Sequence, residues 1–151
     1  MAVFNECGKS VIAIERVARQ DVVLYGVIEP QEIKDSIYRV KSLVEKPSVD
    51  EAPSDLGIVG RYILTPEVFK AIEKTGPDKN GEIQLTNALK ILLEEQDIYA
   101  YRFKGKRFDT GTPLGYLKTQ LCFGLKDTAS GQILRRYIKE MLKSEPTDNK
   151  S

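Results

Sequence analysis

Histidine is absent from the 151 residues, and its absence removes Ser-His and Cys-His nucleophile pairs, imidazole general bases and histidine-ligated zinc together. Any chemistry must rest on carboxylates, lysines and bound metal. Cysteine is scarce: Cys7 and Cys122 are the only two. They are far apart and lack metal-ligand spacing, which reads as two reduced thiols in a cytoplasmic protein rather than a disulfide framework. No glycine-rich phosphate loop of recognised spacing occurs, so these residues hold no backbone cradle of that kind for a nucleoside triphosphate. No apolar run approaches the roughly 20 residues that span a bilayer, and Met1 to Gly8 lacks the pattern of a signal peptide. Nor does one sign of charge dominate: Lys+Arg 23 against Asp+Glu 22 leaves +1. Neither nucleic acid nor a membrane is therefore an expected partner.

A chain of this length with 41% hydrophobic and 30% charged residues is of one-domain size and reads as soluble and globular. The element order predicts an α/β layer that is strand-rich first and helical last. Residues 1–8 read as the end of a helix closed by Gly8. Ser10 to Val17 is a β-branched run of the kind buried in a parallel sheet, and Tyr25 to Ile28 is a second short strand. From Ile37 to Glu45 the pattern alternates, with Tyr38, Val40, Ser42 and Val44 on one face and Ile37, Arg39, Lys41, Leu43 and Glu45 on the other. Leu56 to Leu64 is a further strand, leading into a helix with Thr65 as N-cap and Pro66 at its first position. Thr86 is expected to cap the next helix, striped by Leu85, Leu89, Leu92 and Leu93, before a strand carrying Tyr99, Tyr101 and Phe103. Two helices follow, one opened by Thr112-Pro113 with Leu114, Leu117, Leu121 and Leu125, the other striped by Leu134, Tyr137, Ile138, Met141 and Leu142. The stripe of the last helix suits packing either on the chain's own sheet or on another subunit. Glu145 to Ser151 is a polar tail.

Two motifs carry chemistry. Leu43-Val44-Glu45-Lys46-Pro47 ends a strand in an adjacent acid and base, and Phe108-Asp109-Thr110-Gly111-Thr112 places a carboxylate in a turn. A carboxylate can accept hydrogen bonds from sugar hydroxyls, an ammonium can neutralise a phosphate, and a separate aspartate can hold a divalent cation that bridges phosphate oxygens. Together these are the parts of a sugar-phosphate site used in nucleotidyl transfer. Each residue also has an ordinary role. Glu45 and Lys46 could be solvated surface charges, with side chains on opposite faces unless the strand bends at Pro47. Gly26 could simply permit a turn, Val59 and Gly60 could be strand core, and Asp109 could be a turn and helix-cap residue.

Tyr25-Gly26-Val27-Ile28, Val44-Glu45-Lys46-Pro47, the run from Ala52 to Leu64, Gly81-Glu82-Ile83-Gln84-Leu85-Thr86 and Asp109-Thr110-Gly111 resemble, in order and spacing, the C-terminal half of the bacterial UTP–glucose-1-phosphate uridylyltransferases. Strand-Glu-Lys-Pro with a later Asp-Thr-Gly is shared by many sugar-phosphate nucleotidyltransferases, thymidylyltransferases included. Ala-Pro-Ser-x-Leu-x-Ile-Val-Gly-Arg-Tyr looks like the uridylyltransferase branch. The resemblance implies part of a Rossmann-like mixed-sheet domain of the glycosyltransferase-A type over residues 1–144. It further implies that Glu45 grips the glucose ring, Lys46 neutralises the sugar phosphate, Gly26, Val59 and Gly60 line the sugar pocket, and Asp109 holds Mg2+, with Glu82 and Gln84 near the sugar. Lys46 and Asp109 would be the catalytic pair, and glucose 1-phosphate, UTP and UDP-glucose the ligands. The family's N-terminal half, with its nucleotide loop, has no counterpart among these residues, so the chain looks like a fragment and is expected to be inactive alone. Such a piece would leave a sheet face and edge uncovered, from which a homo-oligomer is expected. The alternatives are a thymidylyl- or adenylyltransferase of the same family and a noncatalytic sugar-phosphate-binding or protein-interaction module.

Overall fold

The apolar runs become five strands, β1 (Val11–Arg16), β2 (Gly26–Lys34), β3 (Ile37–Glu45), β4 (Leu56–Ile63) and β5 (Tyr99–Arg102), in a computed structural model that describes residues 1–78 and 80–144. The expected polar tail lies outside the described residues. Among the described residues five α-helices accompany the strands, α1 (Ala2–Cys7), α2 (Glu67–Glu73), α3 (Leu85–Glu95), α4 (Pro113–Gly124) and α5 (Gly131–Ser144), with a 3-10 helix at Arg19–Leu24. The chain divides into two compact units, Met1–Lys104 and Gly105–Ser151. Each is described by itself. Cys7 and Cys122 are both free thiols, and no described helix is long and apolar enough to cross a membrane.

In the first unit the strands pair in the order β1-β4-β2-β3-β5 and close into a circuit. The sheet is mixed, since β1 runs parallel to β5 and antiparallel to β4. The uncovered sheet edge expected of a fragment is therefore not found among the described residues, because β1 is paired on both sides. The circuit is thinnest between β2 and β4, where Val27 opposite Gly57 is the single ladder pair. Ser54 reinforces that place. Its hydroxyl donates to the carbonyl of Ile28 at 2.6 Å and accepts from the amide of Leu56 at 3.0 Å.

Ile12, Ile14, Ile28, Tyr38, Val40, Leu43, Leu56 and Ile58 from the strands pack with Ala88, Leu89 and Leu92 of α3 and Val68 and Ala71 of α2. The leucine stripe predicted for α3 is thus a core face. β2 runs to Lys34, longer than expected, because Pro30 sits at an irregularity in the ladder where its missing N–H costs no pairing. The alternation of β3 also differs from the sequence reading. Glu29 faces Ser42 and Pro30 faces Val40, so Lys41 is an extra residue, a β-bulge. Beyond it the inward set changes parity: Leu43 is 1% exposed and Val44 only half-buried. Thr65 does not cap α2 with its side chain. Its hydroxyl accepts from Gln96 at 2.8 Å and lies 3.4 Å from Ser10, tying α2 to α3 and β1.

β4 carries a larger irregularity. Ile12 faces Tyr62 and Ile14 faces Ile58, so Val59, Gly60 and Arg61 stand opposite Ala13 alone. The chain accommodates them by placing Gly60 at φ 69, with open space where a Cβ would be. A left-handed backbone, rather than crowding, is what demands glycine. Gly60→Ala is expected to cost about 1 kcal/mol, with Gly60→Asn costing less because asparagine tolerates this region. Thermal melting of the two variants checks this; equal melting temperatures for alanine and glycine would show that the bulge relaxes.

Candidate functional site

Glu45 is the last residue of β3, and the bulge at Lys41 decides where it points. With parity shifted, Glu45 shares the side of Leu43, toward α3, and its Oε2 accepts a 2.6 Å hydrogen bond from the hydroxyl of Thr86. Thr86 is therefore not the helix cap expected of it. Gln84 occupies the N-cap position, and Thr86 lies inside the first turn, 6% exposed. Gly26, paired with Glu45 across the ladder, completes the arrangement. A Cβ there would lie 3.0 Å from Glu45 Oε2, 3.1 Å from Thr86 Oγ1 and 3.2 Å from Ile58 Cδ1. The glycine is required by space, since a methyl group would press on the carboxylate and the hydroxyl at once.

Lys46 leaves the strand at φ 43, a left-handed conformation uncommon for a residue with a side chain. Its amide donates to the carbonyl of Tyr25 at 2.9 Å, which pins the bend, and Pro47 behind it is buried. This bend resolves the question of faces. Lys46 no longer follows strand alternation, and its charge acts on Asp78, in the segment that leads to Thr86. Asp78 organises that segment: its Oδ1 accepts from the amides of Asn80 at 2.8 Å and Glu82 at 3.0 Å. Gln84 Nε2 donates to Asp78 Oδ2 at 3.1 Å and to Glu82 Oε2 at 2.9 Å. Those amide hydrogen bonds, with Gln84 and Lys46 in support, hold the Asp78 carboxyl below its usual range. Glu82 is itself exposed.

Tyr62 joins the site from β4. Burial, followed by the nearby Glu45 carboxylate, pushes its phenol above the ordinary tyrosine range. Val59, half-buried, and Gly60, exposed, lie between Ile58 and Tyr62 in the bulge. The structure thus brings Gly26, Glu45 and Thr86 into one cluster, with Tyr62 in electrostatic reach of Glu45 and Lys46 in reach of Asp78. Sequence reasoning missed Tyr62, Asp78 and the role of Thr86. Only the Asp-x-x-Gly turn chemistry of Asp78 carried a readable signal.

Asp109 belongs to the second unit. It is exposed, and its Oδ1 accepts from the amide of Gly111 at 2.9 Å, forming a tight turn. The cap of α4 is Thr112, whose hydroxyl accepts from Gly115 at 3.1 Å, with Pro113 following. Gly115 lies so close under the carbonyl of Asp109 that no side chain fits there. Phe108, beside the aspartate, packs on Phe123 with ring centroids 5.2 Å apart, anchoring the turn to α4. Among the described residues no group of three or more His, Cys, Asp or Glu could cage a metal. To hold a hard cation, Asp109 would need further oxygen donors beside it.

Comparison with known proteins gives the family. The Nucleotidyl transferase family matches residues 3–122. A UTP–glucose-1-phosphate uridylyltransferase of Pseudomonas aeruginosa is 48% identical over 121 residues, 80% of this chain and 43% of the relative. The enzyme of that name from Staphylococcus epidermidis is 43% identical over 141 residues, 93% of this chain and 49% of the relative. A crystal structure of UDP-glucose pyrophosphorylase complexed with UDP-glucose superposes with a TM-score of 0.79 at 41% identity, covering 83% of this chain and 48% of the other. The chain spans about half the length of the curated relatives it matches. With its mixed sheet and helices reproduced there and the family pattern running from α1 into α4, the chain belongs to the nucleotidyl transferase family.

Proposed function

We propose that the chain is the C-terminal half of a UTP–glucose-1-phosphate uridylyltransferase and carries its sugar-phosphate side. The observation that supports this best is the Glu45 carboxylate, held by Thr86 over a glycine that leaves room beside it, with Lys46 turned out of the strand next to it. The similarity to relatives of that name, and to a structure holding UDP-glucose, supports the nucleotide and sugar. In the reaction a phosphate oxygen of glucose 1-phosphate attacks the α-phosphorus of UTP, the new P–O bond forms, and the bond to pyrophosphate breaks. Glu45 accepts hydrogen bonds from sugar hydroxyls, while Gly26, Val59 and Gly60 line the sugar pocket. Lys46 offsets the charge of the sugar phosphate. Glu82 and Gln84 border the site through the loop that Asp78 organises. Asp109 would hold Mg2+ together with phosphate oxygens and water, the ion serving to neutralise charge on the transferring phosphoryl group. The setting is cytoplasmic, in keeping with two free thiols. Self-association is part of the proposal, supported by the exposed Leu117, Leu121, Tyr137 and Leu142 of α4 and α5. Sedimentation velocity reads it directly.

By itself, the chain is expected to release no pyrophosphate from UTP and glucose 1-phosphate with magnesium, since no triphosphate loop occurs in it. Mixing it with the separately expressed N-terminal half of the Pseudomonas aeruginosa relative is expected to give UDP-glucose. Turnover without that half would sink the placement as a C-terminal half. Glu45→Gln is expected to weaken glucose 1-phosphate binding to the chain by about 1 to 3 kcal/mol, followed by NMR titration; unchanged affinity would make Glu45 a surface residue. Asp109→Asn keeps an acceptor for the Gly111 amide but loses the charge a hard cation needs. Its expected signature is a normal melting temperature with loss of the magnesium-induced shift at Gly111, and a retained shift would reduce Asp109 to a turn residue.

A further inference from the structure

We propose that Thr86 is a positioning residue for the sugar-binding carboxylate, setting Glu45 in its receiving geometry before any ligand arrives; this rests on the sugar-site reading above. Thr86 is buried, in the first turn of a helix, and a threonine there ordinarily bonds to backbone four residues back or caps the turn. Instead its hydroxyl spans 41 residues of sequence to a carboxylate at 2.6 Å, the length of a charge-assisted O–H···O bond. The opposite side is closed with equal economy, because Gly26 leaves room for the pair and for nothing larger. A carboxylate offers about four lone-pair sites. Thr86 occupies one on Oε2 and leaves Oε1 for ligand hydroxyls. Glutamate also has one of the larger side-chain entropies, and a side chain restrained in advance does not lose that freedom on binding.

The role belongs to the hydroxyl, so valine, which keeps the shape of threonine and removes the O–H, is the informative replacement. Thr86→Val is expected to weaken glucose 1-phosphate binding by about tenfold, the scale of a lost hydrogen bond to a charged group. Thr86→Ser should restore it to within about twofold. Inorganic phosphate, which lacks the sugar hydroxyls, should bind Thr86→Val as it binds the unsubstituted chain, a split that general loosening of the helix would not produce. Gly26→Ala, which keeps the hydroxyl but crowds the carboxylate, should reproduce the loss. NMR titration of the 151-residue chain, with thermal melts of each variant, reads all four, and Thr86→Ala takes the place of Thr86→Val if the valine does not fold. Full affinity in the folded valine or alanine variant overturns the proposal, as does a loss in Thr86→Ser equal to theirs. Parallel titration of Glu45→Gln separates the two readings. If it binds normally, or if the unsubstituted chain gives no shifts, the sugar-site reading falls and this inference with it. If Glu45→Gln loses binding and Thr86→Val does not, only the role of Thr86 falls.

Discussion

One extra residue in β3 decides the direction of the side chain on which the candidate site depends. Were Lys41 paired regularly instead of bulged, the strand would keep strict alternation, and Glu45 would share the outward face of Ile37 and Arg39. With it, parity changes halfway along the strand. Leu43 drops into the core beneath α3, and Glu45 turns to meet the first turn of that helix. Pro30 sits opposite the irregularity, where a residue without an N–H is least harmful. Packing and site geometry are therefore consequences of the same insertion, and neither could be altered alone by changing the register.

The bend at Lys46 continues that logic in the backbone torsions. A residue with a side chain held at positive φ just before a proline carries backbone strain. The strain is held in place by the hydrogen bond from the Lys46 amide to the carbonyl of Tyr25, by the burial of Pro47 and by the attraction between Lys46 and the Asp78 segment. The acid and the base, adjacent in sequence, are thus freed from the opposite faces that a regular strand would impose on them. Asp78 gains by the same arrangement, since its loop amides and the lysine both favour its charged form.

Much of this was legible. The αL cap at Gly8, the strand cores, the leucine face of α3 and the Thr112-Pro113 start of α4 all follow from local chemistry, and the structure has each of them. The acid-base pair at the end of a strand was equally visible. What stayed hidden were register effects. A bulge leaves no mark in composition, so the inward set of β3 after Val40 was read with the wrong parity. For the same reason Thr86 looked like a cap: its true partner is distant in sequence, and local preference for a threonine near a helix start gives the same signal for either role. Tyr62 was quoted within a motif, but its proximity to Glu45 arises only when β4 and β3 enter one circuit.

The closed circuit has a bearing on how the chain acquires its structure. β1, the first of the five strands in chain order, finds one neighbour in β4 and the other in β5, so Val11 waits for Tyr99 while most of the first unit lies between them. β3 waits for the same strand, pairing Ile37 with Tyr101. Long loops must close before these pairings reward them, which places their formation late. A growing chain can build the β2–β3 hairpin early, but two of its sheet seams stay open until four residues near position 100 have been synthesised. The short strand β5 is the latch of the barrel.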